Sequence, residues 1–209
     1  MSHPTVDYTG TLSVFHQLFL IADEDGAELG PETEIDTNGL VAIDDLGIRV
    51  RTSAGVNQVG VTAEVYDDEP PADPRIWDNV VEFPVQVPVG SLQLSVMLSG
   101  TAADGFPVLS AQGRGDYRLR VHVRGRDARH WERPDEVLEF YLVQSWPAAP
   151  RPLTVLKRTD ETGARVRTVP GTDDVTAPVR ERTYKPVPIP GEPGGIEWVL
   201  DDGEETPGI

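Results

Sequence analysis

The chain of 209 residues has no cysteine. That excludes disulfides, thiolate nucleophiles and zinc–thiolate centres together. It has four histidines, His3, His16, His122 and His130. No two stand two or four apart, so a histidine-based metal cluster is not expected. Lysine is nearly missing, with only Lys157 and Lys185 among the 18 basic residues. No run of 18 apolar residues occurs, and Met1-Ser2-His3-Pro4 opens no basic region followed by an apolar one. The expectation is a cytoplasmic protein with no membrane contact. P-loop, G-x-G-x-x-G, H-E-x-x-H and G-x-S-x-G patterns are all lacking, so no catalytic signature points to a reaction.

What the chain has in excess is acid, with 35 Asp and Glu against 18 Lys and Arg and a formal net charge of −17. Such a field opposes nucleic acid and anionic membranes and favours a cationic protein partner or divalent metal. The charge is uneven: residues 1–100 carry −14, residues 101–147 carry 0, residues 148–190 carry +3 and residues 191–209 carry −6.

Apolar and polar residues alternate along residues 9–146, between clusters of Gly, Pro and Asp. A period of two reads as half-buried strands. Expected strands are Thr11–Ile21, Leu40–Ile43, Gly47–Arg51, Val56–Tyr66, Val80–Val87, Ser91–Leu98, Asp116–Arg126 and Val137–Trp146. Pro84 and Pro88 donate no ladder hydrogen bonds, which puts their stretch at an edge or breaks it in two. A helical turn near Pro134-Asp135-Glu136-Val137 is the one helix entertained. The fold class this implies is all-β, an antiparallel β-sandwich of jelly-roll type covering residues 1–147.

Near residue 148 the pattern changes to a Pro/Gly-rich C-terminal extension, residues 148–209. Within it, 153–169 reads as a hairpin around Asp160-Glu161-Thr162-Gly163. Tyr184 to Pro190 reads as polyproline II and 191–209 as a disordered acidic end.

The acids are concentrated in loops after expected strands: Asp23-Glu24-Asp25, Asp44-Asp45 and Asp67-Asp68-Glu69. Carboxylates grouped this way suit three roles, which are solvated loops, a calcium site built from loop oxygens, and an array that occupies a cationic groove. Asp23-Glu24-Asp25-Gly26 lacks the alternating order of a dedicated calcium loop, so no metal ligand is assigned. Arg114, Arg118, Arg120, Arg124 and Arg126 form a basic stripe, all but Arg114 within the strand Asp116–Arg126. Carboxylates on a neighbouring strand, including an acidic strand from the first hundred residues, are the expected partners, with a partner-binding face as the alternative. Trp131 is a loop aromatic suited to anchor a partner. Trp198 sits in an apolar cluster inside the acidic tail, the composition of a short docking motif.

Gly115-Asp116-Tyr117-Arg118-Leu119-Arg120-Val121, then Arg124-Gly125-Arg126-Asp127, then Val137-Leu138-Glu139-Phe140-Tyr141-Leu142-Val143-Gln144-Ser145-Trp146-Pro147 resembles a pattern of uncharacterised actinobacterial β-sandwich proteins. Together with Phe15-His16-Gln17-Leu18-Phe19-Leu20-Ile21-Ala22-Asp23 it is distantly similar to competence-associated nuclease inhibitors. The resemblance covers at most residues 1–147 and implies a binding protein rather than an enzyme, with no catalytic residue and no cofactor.

The resulting expectation is an acidic protein-binding module, an inhibitor or immunity-type partner of a cationic protein such as a nuclease or toxin. Its contact residues would be Asp23, Glu24, Asp25, Asp44, Asp45, Asp67, Asp68, Glu69, Trp131 and Trp198. The alternatives are a calcium- or carbohydrate-binding β-sandwich module and, third, an unassigned hydrolase.

Overall fold

The computed structural model describes residues 3–23, 38–44, 47–96, 102–128, 136–167, 184–188 and 196–200. The all-β expectation holds. The strands are β1 (Val6–Phe15), β2 (Leu18–Ala22), β3 (Val41–Asp44), β4 (Gly47–Arg51), β5 (Val56–Val65), β6 (Asn79–Val87), β7 (Gln93–Ser95), β8 (Gly115–Arg124), β9 (Phe140–Pro147) and β10 (Thr154–Arg158). They follow one hydrogen-bonded path, β10-β6-β8-β9-β5-β1-β2-β4-β3, with β7 added on β2. The pairing is mixed and not purely antiparallel as expected, because β5 and β9 run parallel from Gly60↔Phe140 to Val65↔Ser145. Parallel neighbours need a long crossover, and the 74 residues between these two strands, 66–139, supply it through β6, β7 and β8.

The sheet curls at one corner. The expected single strand Thr11–Ile21 is broken at His16 and Gln17, both with positive φ (51° and 61°). That is the backbone of a two-residue type I′ hairpin turn, which the right-handed strand twist favours even without Gly or Asn. His16 is therefore an exposed turn residue and not an imidazole inside a strand. Beyond the turn β1 and β2 share only the pair Phe15↔Leu18, and β2 continues along β4 and β7 instead.

The curl brings β2 and β4 over the inner face of β9. Phe19 meets Tyr141 edge to face at 5.2 Å, and the Tyr141 hydroxyl lies 2.9 Å from the Arg51 carbonyl. One apolar core results, built from alternate residues such as Leu12 and Val14 of β1, Val59 and Val61 of β5, Val81 and Phe83 of β6, and Leu119 and Val121 of β8. Pro84 falls where its strand is free on one side, since β10 pairs with β6 only from Asn79 to Glu82.

The sheet does not stop at Pro147. Thr154–Arg158 joins it as β10, and the expected hairpin over 153–169 is replaced by that strand and a helix, α1 (Glu161–Arg167). Asp160 decides the outcome. Its carboxylate accepts the Gly163 N–H at 3.1 Å, as an N-cap does, and so satisfies a donor that helix formation orphans. Gly163 is required by a close approach: a Cβ there would stand 2.6 Å from Asp160 Oδ1 and 2.8 Å from Asn79 Nδ2. The stretches expected as polyproline II and as a disordered acidic end include two strands, β11 (Tyr184–Pro188) and β12 (Ile196–Leu200), paired antiparallel with Pro186 opposite Trp198.

A candidate ligand cleft on the outer sheet face

The strand β8 alternates as the sequence implies. Tyr117, Leu119, Val121 and Val123 enter the core, and Arg118, Arg120, His122 and Arg124 point the other way. The arginines of the second set were expected to pair with carboxylates of a neighbouring strand, with a partner-binding face as the alternative. Arg118, Arg120 and His122 are buried, because chain segments cross over this outer face and make a second, polar layer.

Glu82 of β6, opposite Arg120 in the ladder, binds Arg118 through its Oε1 and Arg120 Nε through its Oε2 at 2.8 Å. This is the carboxylate from the first hundred residues that the stripe called for. The free ends of the two guanidinium groups hold the crossing segments down. Arg118 donates to the carbonyls of Arg151 (2.9 Å) and Pro152 (3.1 Å), and Arg120 to those of Pro70 (3.2 Å) and Pro71 (3.4 Å). Burial pushes the Glu82 carboxyl up, but hydrogen bonds from both arginines outweigh it and hold it below the usual range.

The segment between β5 and β6 ends in Trp77, whose ring lies 5.2 Å from the His122 ring and packs with Val80 and Leu142. Burial under this cover lowers the His122 pKa to about 4, with the positive charge of Arg120 adding to the effect, while a bond to the Leu142 carbonyl opposes it. The imidazole is thus neutral at pH 7. Trp77 Nε1 donates to Asp73 at 2.9 Å, and Asp73 also binds Arg75. Burial alone would raise the Asp73 carboxyl; the Arg75 and Trp77 bonds hold it well below the usual range.

The cover stops at Trp77, and the outer face of β5 and β1 beyond it is open. There lies a half-open cleft of about 760 Å³, within the size range of small-ligand sites. Its floor is Thr9 and Thr11 of β1 with Gly60 and Thr62 of β5; its wall is Arg75, Trp77, Arg124 and Phe140. Thr9 and Thr62 are cross-strand partners with hydroxyls 3.0 Å apart, so one donates to the other and one hydroxyl hydrogen remains for the cleft. Gly60 keeps the floor low: a Cβ there would stand 2.8 Å from Phe140 Cδ1, so glycine lets the ring lie across β5.

The two arginines of the wall differ. Arg75 is neutralised by Asp73 at 2.7 Å and Glu64 at 3.5 Å. Arg124 lies with its guanidinium carbon 5.0 Å from the Phe140 ring centre and 5.7 Å from that of Trp77, and no carboxylate among the described residues pairs with it. Stacking on rings fixes the plane of a guanidinium and leaves its N–H edge available.

The described structure places some of the residues expected to contact a partner. Asp23 is a clamp, accepting backbone N–H groups from Val89 (2.6 Å), Gly90 (3.0 Å) and Ser91 (2.7 Å) and so fixing the turn between β6 and β7. Asp67 accepts from the Thr5 hydroxyl at 3.1 Å, and Glu69 pairs with Arg151 at 3.1 Å and Arg120 at 3.6 Å. Asp68 is exposed. Asp44 ends β3 and Trp198 lies mid-way along β12. Glu24, Asp25, Asp45 and Trp131 lie outside the described residues, as do Pro134 and Asp135 of the expected helical turn. Among the described residues no group of three His, Cys, Asp or Glu is placed to hold a metal ion, and no helix is long and apolar enough to cross a membrane.

Sequence reasoning missed Thr9, Thr62 and Phe140. Each is an ordinary strand residue, and the parallel pairing of β5 with β9 that unites them has no local sequence signal. Arg124 was noticed only as a member of the basic stripe.

No family model matches the chain, and no curated protein does. A solved structure described as "Crocagin biosynthetic gene J" is similar over 69 % of this chain and 100 % of that chain, at 11 % identity and a TM-score of 0.38. Likeness at that level carries no argument about fold or role, and the cleft stands on its own geometry.

Proposed function

We propose that this protein acts by binding, and that the outer-face cleft is where its ligand sits. The observation that supports this most is the chemistry of the lining. The described residues around the cleft offer hydroxyls, aromatic rings and two arginines, and none is a carboxylate, imidazole or serine that could exchange a proton near neutral pH. Such a surface recognises and orients; it does not supply general acid–base catalysis. A fragment panel screened by NMR against the full chain and against Thr62→Trp, which fills the floor, tests it. Binders whose contacts map to Thr9, Thr62 and Phe140 and are lost in Thr62→Trp are expected. Hits that the variant leaves untouched would overturn the assignment.

A second reading is favoured by the net charge of −17. In it the molecule is an acidic partner of a cationic protein such as a nuclease or toxin, with the field of residues 1–100 steering the encounter. Among the acids expected to meet a partner, Asp67, Asp68 and Glu69 are all exposed, Asp67 accepting from the Thr5 hydroxyl and Glu69 pairing with Arg151, while Asp23 is taken up by backbone N–H groups. Its measure is association rate against salt: a rate that does not fall between 20 mM and 500 mM NaCl, on the order of a Debye length of 20 Å against 4 Å, rules out steering.

A further inference from the structure

We infer that the ligand of the cleft carries an oxyanion, a carboxylate or phosphate on a flat apolar body, and that Arg124 is its anchor. The inference rests on the cleft being the binding site and adds the chemical class of what binds. Arg114, Arg124 and Arg158 are described arginines with no carboxylate partner among the described residues, and of these Arg124 lines the cleft. Every other arginine described around this face has an acceptor: Arg75 has Asp73, Arg118 has Glu82, and Arg120 has Glu82 and Glu69. Arg124 has two rings and open solvent.

The rings do what a carboxylate would otherwise do for orientation. Lying 5.0 and 5.7 Å from the guanidinium carbon, they restrict the side chain, so part of the cost of ordering it is met before the ligand arrives, and a guanidinium that no described carboxylate takes up keeps its N–H fork for two oxygens of one anion. The neighbouring floor complements it. The hydroxyl pair Thr9–Thr62 has one hydrogen left to donate, suited to a further anion oxygen or to a polar substituent. Phe140, 37 % exposed, offers the apolar face for the ligand's body. A cation as ligand is disfavoured here because Arg75, although paired, shares the wall with Arg124.

The test is a titration of the full chain, followed by backbone amide and arginine Nε NMR signals, with benzoate, phenyl phosphate and the neutral isostere benzamide. Wild type, Arg124→Lys and Arg124→Gln are compared. One of the two anions should move Thr9, Thr62, Phe140 and the Arg124 Nε signal, and should bind about five- to ten-fold more tightly than benzamide, the gap between charge-assisted and neutral hydrogen bonds. Which anion binds better assigns carboxylate or phosphate. Arg124→Gln should erase the preference, and Arg124→Lys should lose most of it because a point charge lacks the fork. Benzamide binding as well as the anions would overturn the oxyanion while leaving the cleft as a site. An anion preference that survives Arg124→Gln, or no response to either anion at the cleft, would overturn it also.

Discussion

Arg126 and Asp160 have side chains with no solvent exposure at all, and the consequence of separating them can be worked through. Arg126 Nε donates to Asp160 Oδ2 at 2.6 Å, and its Nη1 to the carbonyls of Gly39 (2.9 Å) and Arg51 (3.4 Å). Asp160 Oδ1 accepts from Asn79 Nδ2 and from the Gly163 N–H. Asp160→Ala therefore strips the counter-charge from a guanidinium buried in the fold, which costs about 3–5 kcal/mol. It also removes the cap of α1, at about 1 kcal/mol. The total of roughly 4–6 kcal/mol corresponds to a fall in melting temperature of about 10–20 °C for a chain of this size. Asp160→Asn keeps the shape and an acceptor and should cost less. The double change Arg126→Met with Asp160→Leu removes both charges and should recover most of the loss, within about 2 kcal/mol of wild type. Urea and thermal unfolding followed by tryptophan fluorescence measure all three. A shift below about 3 °C for Asp160→Ala, or a double variant no better than the single, would show that the pair is not the lock described.

Three further outcomes follow from the same contacts. His122, with a folded pKa of about 4 against an unfolded value near 6.5, binds fewer protons folded than unfolded in that window. Stability is then full above pH 6.5 and declines by about 3 kcal/mol as pH falls toward 4; His122→Gln should flatten that slope in pH-dependent urea unfolding, and an unchanged slope refutes the assignment. Below pH 4 the depressed carboxylates of Glu82 and Asp73 lose their partners in turn, so acid unfolding steepens there in both proteins. Gly163→Ala, favourable in an ordinary helix by about 1 kcal/mol, should here destabilise, because its methyl enters the Asp160–Asn79–Arg126 cluster; circular dichroism melting gives the sign. Asp23→Ala orphans three backbone donors and should cost about 2–3 kcal/mol, visible as faster hydrogen exchange at Val89, Gly90 and Ser91.

Much of the strand inventory is legible because period-two burial is local: Gly47–Arg51 is found as it stands, and β5, β6 and β8 within a residue or two. The Glu82 partnership was also accessible, since a lone carboxylate in an apolar strand needs cations and β8 offered them at the same alternation. What was not legible depends on distant chain. The burial of Arg118, Arg120 and His122 is one case, because alternation shows two faces of a strand and is silent about what covers the second. Residues 161–167 read as the loop and second strand of a hairpin because Thr, Val and Gly depress helix propensity; the N-cap at Asp160 and its arginine partner, 34 residues back in sequence, override it. Asp23 looked like a surface contact because nothing local announces three N–H groups more than 60 residues away.

The same polar layer includes residues beyond Pro147. Composition changes near residue 148, where the sequence reading ends the sandwich. Yet Arg151 and Pro152 supply the carbonyls that satisfy Arg118, Lys157 Nζ binds the Trp77 carbonyl, and the Thr159 hydroxyl binds that of Asp78. Asp160 neutralises Arg126. Cutting at Pro147 would take two carbonyl acceptors from the buried Arg118 and the counter-charge from Arg126, and would remove the lysine that holds the backbone of Trp77, in the wall of the cleft. A proline-rich composition thus marks a segment that crosses over the sheet without regular hydrogen bonding of its own, using its carbonyls as acceptors for buried arginines. The unit that forms the cleft runs at least to Arg167, and the basic residues of 148–167 belong to it as fully as the acidic strands they cover.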